Sequence, residues 1–287
     1  MLPKFDYFAP ESLQETLSLL DKCGKDAKPL AGGTDLLVSL RGGQERAKHL
    51  IDLKRVKELQ NLSFNEKAGL TVGACVTLNR LIHHDAVSKN YPILKEAANT
   101  IGDFQIRNRA TLVGNICNAS PAADTAPALL VLNATVNIST QDNTKKVPIH
   151  QFFTGVKKNI LASNALTTSI DLPIPPQKST SAYMKARRTM GEDLAVVGVG
   201  GLAAPNGDVG KEIRLAYASV APTPVRVFEA EKVFTKDRPV DELVDEAIPI
   251  IMKTVSPITD VRAGKEYRAN LVKVLTRRLV KQLWEAS

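Results

Sequence analysis

Residues 101–127, IGDFQIRNRATLVGNICNASPAADTAP, are the stretch on which the reading of the whole chain turns. It is too polar and too rich in small residues for a regular helix or strand. Yet it runs between two apolar helical segments, residues 91–101 and about 127–134. Between those braces it offers Thr111, Gly114, Asn115, Asn118, Ser120 and Asp124. Hydroxyls, amides, a glycine that permits close approach and one carboxylate, held by a rigid scaffold, can direct many donors at a bound anion. The plainer alternative is a surface loop whose Asp124 caps the next helix. Loops of this length without structure of their own are usually functional or disordered, and few residues here favour disorder.

Working outward, 287 residues at 44% hydrophobic content can fill about two domains of ordinary size. No apolar run reaches the roughly 18 residues of a membrane span. The N-terminus, MLPKFDYFAP, lacks a basic-then-apolar signal pattern, so a cytoplasmic protein free of the membrane is expected. Cys23, Cys75 and Cys117 are far apart with no C-x-x-C pair, which argues against a disulfide framework and against any metal or iron–sulfur site on this chain. His83 and His84 are adjacent, and neighbours on a helix point about 100° apart, so they do not share a tetrahedral ion easily. The net charge of +8 suits an anionic ligand. With only 5% aromatic residues and basic residues spread through helices, a nucleic-acid surface is not supported.

A helix is expected from Pro10-Glu11-Ser12-Leu13 to about Cys23, with Leu13, Leu17 and Leu20 on one face. A second candidate anion cradle follows it: Lys28, Pro29, Leu30, Ala31, Gly32, Gly33, Thr34, Asp35 and Leu36, running into a short helix near residue 40. Glycines allow close approach to a phosphate, successive amides form a nest, and the start of a helix adds a favourable dipole. Taken alone, G-G-T-D is equally a glycine turn with Thr34 or Asp35 as cap. Strands are expected at residues 49–53, 70–76, 134–139, 146–149 and 166–172, with short helices at 56–59 and 78–85. The run PIPPQKS at 173–179 ends this region. Beyond it, strands at 182–187, 194–202 and 213–220, joined through Gly191 and Asn206-Gly207-Asp208, precede helices at 240–254 and 266–285.

The chain has no G-x-S-x-G, H-E-x-x-H, G-K-[ST] or helix-opening G-x-G-x-x-G pattern, so neither a Rossmann nor a Walker site is expected. Two separate Gly/Thr/Asp loops could instead grip a ligand with two phosphates. A carboxylate such as Asp124 could accept from a ribose or ribityl chain, which suits a flavin dinucleotide.

The run A-G-G-T-D at 31–35, Q-I-R-N-x-A-T-x-x-G-N at 105–115, I-C-N-A-S-P-A-A-D at 116–124 and A-P-T-P-x-R at 221–226 together resemble the FAD-binding medium subunit of molybdenum hydroxylases. Lys265-Glu266-Tyr267-Arg268 resembles the same family's C-terminal domain. NICNASPAADTAP and APTPVR look more similar to the xanthine dehydrogenase or purine hydroxylase branch than to the carbon monoxide dehydrogenase branch. The resemblance implies an α+β fold: a two-part FAD-binding module of the vanillyl-alcohol-oxidase-like (PCMH) type, residues 1–176 in lobes of about 1–55 and 56–176, then an antiparallel sheet with helices at 177–287. It implies a complex in which a large molybdopterin subunit oxidises substrate, a small subunit relays electrons through two 2Fe-2S clusters, and FAD on this chain passes them to an acceptor such as NAD.

By the same resemblance, residues 28–36 hold the pyrophosphate and Ala110, Thr111, Gly114 and Asn115 form a second clamp. Asn118 and Asp124 take the ribityl or adenosine side, and Ile101 and Lys185 lie by the isoalloxazine, where a cation favours the reduced ring. No residue is assigned as catalytic, which sets the chain apart from a free-standing flavin oxidase. The family usually carries T-x-G-G-N, and here Val113 replaces the first glycine. If that glycine serves a positive φ, the loop must be rearranged, and a flavin-free structural subunit becomes the alternative. The cysteine-rich insertion of 4-hydroxybenzoyl-CoA reductases is absent.

Overall fold

A computed structural model describes residues 2–189, 193–206 and 210–286. The turns expected at Gly191 and at Gly207-Asp208 lie outside these residues. The first lobe contains β1 (Asp6–Phe8), α1 (Leu13–Cys23), β2 (Ala27–Leu30), α2 (Leu36–Arg41) and β3 (His49–Asp52). Its strands form a parallel sheet in the order β1-β3-β2. Ser12 opens α1 by accepting from the Glu15 amide at 3.2 Å, while Glu15 reaches back to the Glu11 amide at 3.0 Å. Leu17 and Leu20 on that helix are buried against the sheet.

The second lobe holds β4 (Leu62–Asn65), β5 (Gly69–Gly73), α3 (Leu78–Ile82), α4 (Asp85–Asn90), α5 (Pro92–Asn99), α6 (Phe104–Arg107), α7 (Leu112–Cys117), α8 (Thr125–Val131), β6 (Thr135–Ser139), β7 (Thr144–Pro148), β8 (Phe153–Gly155), β9 (Lys158–Asn159) and β10 (Leu166–Leu172). Five of these strands pair as an antiparallel sheet, β4-β5-β10-β6-β7. One large core joins its buried face to α5, α7 and α8.

Residues 101–127 are therefore not the structureless loop their polarity suggests. Asp103 accepts from the Ile106 amide at 2.6 Å and starts α6, and Thr111 accepts from the Gly114 amide at 2.9 Å and starts α7. Here polar side chains satisfy first-turn amides, and the buried face of Leu112, Val113 and Ile116 holds α7 to the core. The expected strands at 49–53, 70–76, 134–139, 146–149 and 166–172 all have counterparts. The short β1, β4, β8 and β9 escape sequence reading because their burial comes from pairing and not from an apolar pattern.

The remainder comprises β11 (Thr180–Ala186), β12 (Val197–Pro205), β13 (Lys211–Ala218), β14 (Val225–Arg226), α9 (Phe228–Glu231), α10 (Val240–Thr254) and α11 (Lys265–Ala286). Its four strands form one antiparallel sheet in chain order, and α10 and α11 share a second core with it. The sheet also packs on α8 of the preceding module. Arg214 and Arg226 donate across that seam to Val131 O and Leu130 O, both at 3.1 Å, at the end of α8. Cations at a helix C-terminus satisfy orphan carbonyls and complement the dipole.

Arg268, 2% exposed, donates to Val196 O at 2.6 Å, Ser219 O at 2.9 Å and Asp260 Oδ1 at 2.6 Å. Burial alone would push the Asp260 carboxyl up, but the Arg262 amide and the Arg268 and Arg262 guanidiniums hold it at about 2. A folded value below the ordinary one gives stability that is full above about pH 4 and lost as pH falls toward about 2. Acid unfolding of Asp260→Asn followed by circular dichroism should therefore be less steep across that window. Identical profiles would remove Asp260 from the acid-sensitive groups. Among the described residues no helix is long and apolar enough to cross a membrane, and no group of three or more His, Cys, Asp or Glu is placed to hold a metal.

Candidate functional site

The two glycine-bearing loops, distant in sequence, touch in space. Residues 31–35 lie between β2 and α2, and a Cβ placed on Gly32 would sit 2.1 Å from Arg109 O. Only glycine allows that approach of backbone to backbone. Gly33 has φ +81°, a left-handed conformation that a side chain resists. Among the described residues, the amides of Gly32, Gly33, Thr34 and Asp35 donate to no carbonyl or side chain. Asp35 stands before α2 without a capping bond, so the cap reading for this residue is not met. Lys28, Pro29 and Leu30 form β2, and Lys28 pairs with Glu45 at 2.8 Å. Leu36 opens α2.

Ala31, Lys54, Cys75, Thr77, Asn108, Arg109 and Thr111 line a small cleft where the loops meet. Burial pushes the Cys75 thiol up to about 12, against Lys54, so it stays protonated and supplies no nucleophile. A wider hollow lined by residues 2–6 and Lys48 shares no residue with either loop. Lys54 and Arg109 were not anticipated; their signal was only their nearness in sequence to expected elements.

On the second loop, buried Ala110 accepts from the Leu78 amide at 2.8 Å, and Thr111 bridges to Thr77. Asn115 accepts from Thr125 Oγ1 at 2.7 Å, joining α7 to the start of α8. Asn118 ends α7 and accepts from Lys157 Nζ at 2.7 Å, which places it toward the β8–β9 hairpin. Val113 lies within α7, 4% exposed, and is not among the residues with positive φ. Position 113 thus needs no positive φ here, and a helical backbone accepts a β-branched residue. Val113→Gly should accordingly lower stability by about 2–4 kcal/mol, from lost burial and helix propensity together. A melting temperature equal to that of the parent chain would show that position 113 is not part of the core.

Asp124 and Lys185 meet directly. Lys185 Nζ donates to Asp124 Oδ2 at 2.9 Å and to Thr100 O at 3.1 Å, and the two side chains are 5% and 4% exposed. Tyr183 Oη donates to Asp124 Oδ1 at 2.7 Å. The carboxylate makes no capping bond to α8 and is held in an interdomain ion pair. Burial pushes the Asp124 carboxyl up, opposed by Lys185 and the Tyr183 hydroxyl. Burial and the Asp124 charge push the Tyr183 hydroxyl well above its ordinary value, which keeps it a donor. Tyr183 was missed, although the two-residue period of a strand puts it on the same face as Lys185. Ile101 lies beside Thr100 on the turn after α5, partly buried against the core.

A two-lobed module whose glycine loops touch is thus joined to a sheet-and-helix domain. Residues 3–175 match the family described as FAD binding domain in molybdopterin dehydrogenase, and residues 181–283 match the CO dehydrogenase flavoprotein C-terminal domain. The chain belongs to this FAD-binding family of molybdopterin dehydrogenases, and its cofactor is FAD.

It is 31% identical to the xanthine dehydrogenase FAD-binding subunit of Escherichia coli O157:H7, over 96% of this chain and 94% of that one. It is 33% identical to the glyceraldehyde dehydrogenase medium chain of Sulfolobus acidocaldarius, over 98% and 99%. The solved carbon monoxide dehydrogenase from Hydrogenophaga pseudoflava superposes with a TM-score of 0.95 at 30% identity, covering 100% of this chain and 99% of its own. Dehydrogenases named for three different substrates thus stand at nearly equal distance, and the resemblance to the xanthine branch is not set apart from the others.

Proposed function

We propose that the chain is the electron-transfer subunit of a heteromeric molybdenum hydroxylase of the xanthine or purine dehydrogenase type. In this reading, a molybdopterin subunit oxidises the substrate, a 2Fe-2S subunit delivers electrons, and NAD takes them from this chain. The division into residues 1–176 for the cofactor and 177–287 for the C-terminal domain belongs to the same proposal. The observation that carries it is the contact of the two glycine loops around undonated amides, a donor set fitted to a pyrophosphate.

Bound FAD supplies the redox chemistry, joining one-electron relays to a two-electron acceptor. The amides of residues 32–35 would hold the pyrophosphate, and Gly32 lets the backbone of the second loop close up beside them. Ala110, Thr111, Gly114 and Asn115 close the second side, with Asn118 toward the hairpin. Ile101 and Lys185 would stand at the ring end, with Lys185 oriented there by its contact to Asp124. Substrate choice then rests with the molybdopterin subunit, in keeping with the different substrates of the similar proteins.

Coexpression with the two partner chains, followed by rapid mixing first with xanthine and then with NAD, tests the reading. A bleached flavin that reoxidises on adding NAD is the expected result. Flavin that stays reduced in excess NAD rules out that acceptor, and a colourless chain rules out the whole assignment.

A further inference from the structure

Arg107, on α6 of the second loop, and Asn79, on α3, link the ring end of the site to its phosphate end. Arg107 Nη1 donates to Ile101 O and Gly102 O, both at 3.0 Å, and to Asn99 O at 3.3 Å, while its Nε donates to Asn79 Oδ1 at 3.4 Å. Asn79, 7% exposed, donates from Nδ2 to Phe104 O at 2.9 Å and to Asn108 Oδ1 at 2.8 Å. Asn108 precedes Arg109, whose carbonyl abuts Gly32. The helix that bears Asn79 is itself tied to the phosphate side, since its cap Thr77 pairs with Thr111 and its Leu78 amide donates to Ala110 O. The segment in between, α6, has four residues, too few to hold its ends in place unaided.

We propose that Arg107 and Asn79 are positioning residues that fix the spacing between the turn at residues 99–102 and the turn at 108–111, and so make the site selective for a whole dinucleotide over either half. The inference rests on the reading of Ile101 and of residues 32–35 as the two ends of one FAD site. Two linked contacts reinforce each other only when the gap between their sites matches the ligand, and a pre-set gap avoids the cost of ordering it on binding. One guanidinium nitrogen, Nη1, meets the three turn carbonyls while Nε reaches Asn79, so the planar fork ties the turn to α3. A lysine, with a single nitrogen, cannot hold both at once.

The test uses the full-length chain stripped of flavin, with FAD and ADP titrated separately by calorimetry. The parent chain must first take up FAD; if it does not, the assignment of function fails before any variant is compared. Arg107→Lys is then expected to weaken FAD by about ten-fold or more while ADP changes by less than about two-fold. Equal losses for FAD and ADP, or no loss of FAD, would overturn the proposal. Should Arg107→Lys fail to fold, Asn79→Leu removes the links to Phe104 O and Asn108 while keeping the side chain's bulk, and should show the same pattern. A fall in ADP binding matching that of FAD in this variant overturns the proposal equally.

Discussion

Replacing Asp124 by alanine is expected to lower the melting temperature of the flavin-free chain by roughly 10 °C. The substitution leaves Lys185, 4% exposed, without its counter-ion, and removes the acceptor of the Tyr183 hydroxyl. Breaking one side of a buried pair costs about 3–5 kcal/mol because the remaining charge is stranded in a poorly solvated place. An ordinary helix cap would cost about 1 kcal/mol, so the size of the loss separates the two roles. Converting both partners to apolar residues, as in Asp124→Leu with Lys185→Met, should recover most of the loss in a double-mutant cycle. A single-variant melting temperature within a degree or so of the parent would show that Lys185 finds water instead.

Gly32→Ala should remove FAD almost completely while the chain stays folded. The added methyl would meet Arg109 O at 2.1 Å, and that neighbour is backbone, so the two loops must part. Overpacking of this kind costs about 1–3 kcal/mol of stability. Loss of one of two linked clamps costs binding far more, on the order of 10²-fold or above. Flavin absorbance per mole of purified protein reads the result. A stoichiometric yellow variant would show that the loops need not touch to hold the cofactor.

How much of this was readable beforehand depended on whether a residue's role was local. The helix expected at 240–254 appears with those bounds, because its apolar spacing needs no partner to be recognised. The first glycine loop is only half legible, since a double glycine before a helical pattern also suits a plain turn and its contact with the second loop comes from the fold. Within residues 101–127, Asp103 and Thr111 were read as loop polarity, although each stands three residues before the amide it caps. Val113 was judged by a pattern from elsewhere, while the helix around it decides its cost. The pairing of Asp124 with a lysine 61 residues away could not be read, because each carried a separate expectation and the fold alone brings them together. The positions of Asn79 and Arg107 are equally hidden, since most of their partners are backbone carbonyls and the two side chains that meet lie 28 residues apart.

The two guanidiniums that close α8 bear on how such a protein can be recombined. Leu130 O and Val131 O receive donors from Arg226 and Arg214, so the cofactor module ends its last helix with groups borrowed from the following domain. Arg226 is in turn held by Glu231 at 2.8 Å. A chimera that joined this module to a C-terminal domain lacking these arginines would leave Val131 O without its donor and Leu130 O with backbone partners alone. Exchange of the C-terminal domain between related chains should therefore succeed best when the arginines come with the graft.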